Sequence, residues 1–281
     1  MILKSPPRIE STTAPSTAGV NVYDGASAGV DAAYNNSLLN SLSANWTAFD
    51  ASISGLVRYE YAIGTTSGGS EVTGSWLNNL TSTSVTNNTL SLRTSQLYYV
   101  SVRAIDAAGG TSAVVTSNGQ VVAPSLVSTV GASTITFTPL NQANSYTDTK
   151  TLTVNTTTNG YGGYQTRAYA TTPTSSSSNI PAYSSPWTAP TAWSGTGFGF
   201  TSTDLPSGQS NSYASCGGPS TCYAGFPTSL GSAAVVADHT TAIVGSSVTE
   251  NTTLTLRIAV PPTQASGAYV GRIVISTSAT F

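Results

Sequence analysis

The chain has 281 residues, and only 7% of them are charged: nine Lys and Arg, eleven Asp and Glu, one His, for a formal net charge of −2. Ordinary soluble proteins carry about 25%. The basic residues are scattered from Lys4 to Arg272, so no cluster of cations is available to a phosphate backbone, and nucleic acid is excluded as a partner.

The polar surface must come from Ser, Thr, Asn and Gln, whose neutral side chains respond little to salt or pH. Such a surface suits a protein that works outside a cell, and the expected location is extracellular or at the cell surface. Fourteen Tyr and a small net charge argue for a folded chain rather than a disordered one. Nothing approaches the run of about 18 apolar residues that a membrane span requires. Met1–Pro7 contains no apolar stretch of signal-peptide length, which implies either a signal already removed or a fragment with a start Met.

In chain order, residues 1–18 read as an extended lead-in, rich in Pro, Ser and Thr and without periodicity. Residues 19–124 read as strand after strand. Leu42, Ala44 and Trp46 alternate, as do Val57, Tyr59, Tyr61 and Ile63, and then Tyr98, Val100, Val102 and Ala104. Period-two alternation sends one set of side chains inward and the other to solvent. Turn-rich connectors such as Gly64–Gly69 and Ala107–Gly110 separate these runs. Residues 125–281 form a second unit, in which Ile135 and Phe137, Leu152 and Val154, and Leu254, Leu256, Ile258 and Val260 again alternate as strands. Residues 171–187, with four consecutive Ser at 175–178, must be loop. The chain closes on a predicted edge strand, Arg272–Ser276. The fold class is therefore all-β, with two tandem β-sandwich domains.

Two resemblances sharpen this. Ser43–Trp46 followed by Val57–Gly64, and then Leu92 with Tyr98–Ala104, resemble strands B, C and F of bacterial fibronectin type III domains. The resemblance implies an Ig-like sandwich in which Trp46 is the central core aromatic and Tyr98 closes the "tyrosine corner" through its hydroxyl. The departure is the irregular stretch Asp24–Asn40, longer than the usual connection. Ala265–Ile275, Thr153–Tyr161 and Trp193–Phe200 are similar to segments of bacterial cell-surface and fimbrial repeat domains.

Chemistry is sparse. The two cysteines, Cys216 and Cys222, are separated by five residues around a Gly-Gly-Pro turn. With one His in the chain they lack the partners of a zinc site, so a small disulfide is expected and no metal or cofactor. His239 has no nucleophile motif beside it and reads as a solvated loop residue; no catalytic set is visible, and the chain is not expected to be an enzyme. Aromatics crowd residues 161–226, and Tyr183 and Trp187 sit in a Pro/Ser loop where they could stack on a sugar ring.

The preferred reading is a non-catalytic structural or adhesive protein: a subunit of a surface filament or layer, or an adhesin module. Its partners would be copies of itself or other surface proteins, and its assembly would use strand exchange with the lead-in as donor. The alternative is a carbohydrate-binding module, with glycans held by Tyr183 and Trp187. A hydrolase built from carboxylates distant in sequence is the third reading. A sandwich alone does not decide among them.

Overall fold

The computed structural model describes residues 13–50, 53–176, 178–204 and 222–281. Among these the regular structure is strand throughout, apart from two short 3-10 turns, as the alternation predicts. The chain divides into two compact units. One runs to Pro124 and includes Val244–Ser247; the other comprises Ser125–Ile243 and Val248–Phe281.

The first unit holds β1 (Val22–Asp24), β2 (Leu42–Trp46), β3 (Leu56–Gly64), β4 (Leu77–Asn78), β5 (Ser84–Asn87), β6 (Leu97–Asp106), β7 (Val115–Thr116) and β8 (Gln120–Val121). They form a three-stranded sheet, β1-β2-β5, and a second sheet, β4-β3-β6-β7, with β8 also on β6. The apolar faces of the two sheets meet. Trp46 on β2 packs edge-on against Tyr59 on β3 at 5.7 Å, and Leu42, Ile63, Leu92, Val100 and Val102 are fully buried around them. Tyr98 is buried, and its hydroxyl accepts a hydrogen bond from the Arg93 backbone N–H at 2.9 Å. That bond ties the start of β6 to the segment just ahead of it.

One member of the predicted alternation departs. Val57 is 46% exposed, because a bulge between Leu56 and Arg58 leaves it opposite no residue of β6 and breaks the period.

The irregular stretch after β1 is held by side chains rather than by a ladder. Asn45 donates to the carbonyls of Gly25 and Ser27 and accepts from Gly29 N–H. Asp24 accepts from Gly119 N–H and Gln120 Nε2, and its own N–H donates to Asp31. Asp24 is fully buried, and burial, with the Asp31 charge nearby, raises its carboxyl from 3.8 to about 6 against the pull of its hydrogen bonds.

The second unit holds β9 (Leu126–Val130), β10 (Thr147–Thr158), β11 (Tyr164–Ala170), β12 (Thr191–Ala192), β13 (Gly197–Ser202), β14 (Cys222–Gly225), β15 (Ala234–His239), β16 (Val248–Ala259) and β17 (Ile273–Ala279). Six of them form the sheet β12-β14-β13-β16-β10-β9, and three form β15-β11-β17. Leu152, Phe198, Phe200, Leu254, Leu256 and Ile258 from the larger sheet pack on Ala168, Ala170, Ala234 and Val236 from the smaller. Bulky residues on one sheet thus face small ones on the other, which lets the layers approach.

Two outcomes follow for the first unit. Folding raises the Asp24 pKa, so the folded state holds this proton more tightly than the unfolded chain does. Its stabilisation is full below about pH 4 and is lost as pH rises through about 6, a term of up to about 3 kcal/mol. Calorimetric scans should therefore show a melting temperature that falls between pH 4.5 and 7.5, and Asp24→Asn should flatten that dependence. Tyr98→Phe removes the acceptor of Arg93 N–H and should cost about 1–3 kcal/mol in denaturant unfolding.

Candidate functional site

The second unit is an incompletely closed sandwich. β17 forms a ladder with β11 through all seven of its residues, Ile273 to Ala279, and has no strand on its other side among the described residues. β9, the outer strand of the larger sheet, covers only Val154–Thr158 of the twelve-residue β10. The two outer strands meet at one end, where the Ser128 and Thr277 hydroxyls lie 2.9 Å apart. Toward the other end they part, leaving a groove of about 1110 Å³.

The floor of that groove is core: Leu152, Phe198, Leu256, Ile258 and Val260. Ile273 and Ile275 alternate toward the core, yet both are only partly buried. Val130 lines the groove and is 47% exposed, and Val270 at its mouth is 73% exposed. These are side chains that a further strand on β17 would cover.

The segment after β9 is the second irregularity. Ile135 and Phe137 alternate as a strand should, but Ser133–Phe137 belong to no strand among the described residues. The segment is tied at its ends. Gly131 N–H donates to Thr153 O and Thr138 N–H donates to Asp148, whose carboxyl that bond holds at about 2. Between the ties Ile135 and Phe137 lean on the core, Phe137 edge-on to Phe198 at 6.2 Å, while the Ser133–Phe137 backbone makes no hydrogen bond among the described residues. The alternation was legible; the missing ladder partner was not.

The residues singled out for sugar stacking fall elsewhere. Tyr183 is 4% exposed. One ring face stacks on Trp193 at 4.3 Å, and its hydroxyl donates to Ala192 O and accepts from Ser194 N–H. It is a buried packing residue rather than a displayed platform, because glycines open its berth: a Cβ at Gly225 would overlap the Tyr183 carbonyl oxygen. Trp187 is half-buried against the core. Cys222 is fully buried at the start of β14, and Cys216 lies outside the described residues.

His239 is likewise not a solvated loop residue. It ends β15, and its ring lies parallel to Tyr164 at 6.3 Å. Nδ1 is 2.8 Å from Glu250 Oε1, and Nε2 is 2.7 Å from Thr241 Oγ1. Tyr164 donates to the other Glu250 oxygen at 2.6 Å; burial and that carboxylate push its hydroxyl well above the usual range. Nothing in the sequence spacing of 164, 239, 241 and 250 announces this cluster, since the ladder between β11 and β15 assembles it. A hydroxyl, an imidazole and a carboxylate stand in line, and the arrangement ties β16 to the smaller sheet with both ring nitrogens engaged.

That tie yields an expected outcome. Glu250→Gln should destabilise the second unit by about 1–3 kcal/mol, measured by chemical unfolding. For the cysteines, alkylation of the unfolded, unreduced chain should label neither Cys216 nor Cys222 if they are joined as expected.

No protein-family model matches the chain, and no curated protein matches it. Among solved structures, the chain is similar to the crystal structure of the CsuC–CsuE chaperone–tip adhesion subunit pre-assembly complex from archaic chaperone-usher Csu pili of Acinetobacter baumannii. The identity is 11% and the TM-score 0.30, over 85% of this chain and 91% of that one.

Proposed function

We propose that this chain is a non-catalytic structural subunit of an extracellular filament or surface layer, and that its second unit accepts an extended strand from a neighbouring copy. The observation that carries this reading is β17, paired on one side only among the described residues, at the border of an open groove floored by core side chains. An unpaired strand edge is a template for a further strand. A strand added there gains main-chain hydrogen bonds from the edge and places alternate side chains over the floor. The unpaired Ser133–Phe137 backbone borders the same groove and offers a second set of donors and acceptors.

A strand that passes from one copy into the groove of the next is a head-to-tail contact, and such contacts build open filaments rather than closed dimers. The neutral composition is compatible with close packing of many copies, since there is little like charge to repel. The donor is narrower than the whole lead-in. Ser16 N–H donates to Asp50 O and Pro15 is buried, so Pro15 and Ser16 are engaged in their own unit. Residues 1–12, the rest of the lead-in expected as donor, lie outside the described residues.

Negative-stain electron microscopy with size-exclusion chromatography tests this. The expected result is ordered fibres or sheets from the purified chain. Ile275→Asp, which sets a charge in the groove wall, should leave monomers with an unchanged circular dichroism spectrum, and deletion of residues 1–12 should do the same. Monomers of the unaltered chain at every concentration, or fibres from the Ile275→Asp variant, would overturn the reading.

A further inference from the structure

The cluster around His239 has the order of a nucleophile, a base and an orienting acid. β15 ends at His239, and the chain continues through Thr240 and Thr241, both exposed. The Thr241 hydroxyl thereby comes to 2.7 Å from His239 Nε2. On the other side of the ring, β16 supplies Glu250, with Oε1 at 2.8 Å from Nδ1. The ring lies parallel to Tyr164 at 6.3 Å. The turn that leads into Tyr164 passes so close that a Cβ at Gly163 would overlap the His239 carbonyl oxygen.

The hydrogen bonds decide which ring nitrogen can act. Glu250 accepts from the Tyr164 hydroxyl at 2.6 Å, and as a carboxylate it accepts from Nδ1–H as well. In that tautomer the Nε2 lone pair is the acceptor for the Thr241 hydroxyl. Acid would protonate Nε2 and remove the lone pair. Glu250 bears on the ring directly. Asp204 and Asp238 bear on it through Tyr164, whose hydroxyl is pushed up first by burial and Glu250 and then by their charges. Ala242, next in the chain, is exposed, and its N–H donates to no group among the described residues. An N–H directly after the nucleophile is a position from which acyl-transfer sites stabilise a developing oxyanion.

We propose that Thr241 is an acyl-acceptor site for an ester or thioester donor, with His239 as general base and Glu250 as its positioning residue. Oγ1 attacks the carbonyl carbon of the donor while the hydroxyl proton passes to Nε2. The alkoxide or thiolate then leaves and takes that proton, so an alcohol or thiol is released and Thr241 carries the acyl group as an ester. Exposure of Thr241 gives the donor access from solvent. The product is a modified chain, which a structural subunit accommodates, and the step does not depend on strand acceptance at β17.

Residue-level mass mapping of the full chain after treatment with p-nitrophenyl acetate tests it. Thr240, exposed and adjacent, is the internal control. A base at hydrogen-bond distance should make acetylation of Thr241 roughly a hundredfold faster than that of Thr240. His239→Gln should bring Thr241 down to the Thr240 rate. In the unaltered chain, acidification should bring the ratio of the two rates towards one, a change that a purely structural His239 would not produce. If His239→Gln does not fold, that ratio decides alone. Equal acetylation of Thr240 and Thr241, a ratio unchanged by acid, or an unchanged Thr241 rate in folded His239→Gln would each overturn the proposal.

Discussion

Backbone N–H and C=O groups demand partners wherever apolar surface surrounds them, and among the described residues the second unit meets that demand on one side of β17 only. Its inner side forms a ladder with β11 over Ile273 to Ala279, while its outer side faces the groove. The same shortfall explains the other irregularities around it. Ile273, Ile275 and Val130 lie on or beside the core and remain partly exposed because no strand closes over them. Ser133–Phe137 joins no sheet among the described residues, although Ile135 and Phe137 pack against the core. One ladder absent among the described residues thus accounts for the groove and its apolar lining.

The first unit shows what closure looks like in the same chemical idiom. There the long segment between β1 and β2 has no ladder either, but buried side chains take its place: Asn45 holds Gly25, Ser27 and Gly29, and Asp24 gathers Gly119, Gln120 and Asp31. A chain with few charges uses amides, hydroxyls and a buried carboxylate for work that ion pairs do elsewhere. Where a charge does appear, its setting is specific. Glu60 takes both Arg58 and Arg103, and Arg103 also lies over Trp76 at 4.3 Å. Arg257 lies over the Trp193 and Tyr223 rings, and no ion pair among the described residues includes it.

Much of the architecture was legible in the sequence because period-two alternation is a local signal. Leu42, Ala44 and Trp46 face inward, and so do Tyr98, Val100, Val102 and Ala104, as their spacing requires. What failed was whatever depends on a partner. The Val57 alternation was broken by a bulge defined against β6. Ile135 and Phe137 had the pattern of a strand and no neighbour to make them one. Tyr183 sat in a Pro/Ser loop, which suggested display, yet glycines on β13 and β14, far along the chain, opened a berth that buried it. His239 gained Tyr164 and Glu250 only through strand pairing. Burial of alternating residues is written in sequence; pairing between distant strands is not.

The most direct measurement of the central claim is hydrogen exchange read amide by amide, first in the monomer and then in the assembled form. Fast exchange is expected in the monomer at Ser133–Phe137 and at the outward-facing amides of Ile273–Ala279, with strong protection of both segments once copies assemble, because an inserted strand supplies the missing acceptors. Amides there that are already protected in the monomer, or that stay unprotected in assembled material, would contradict it.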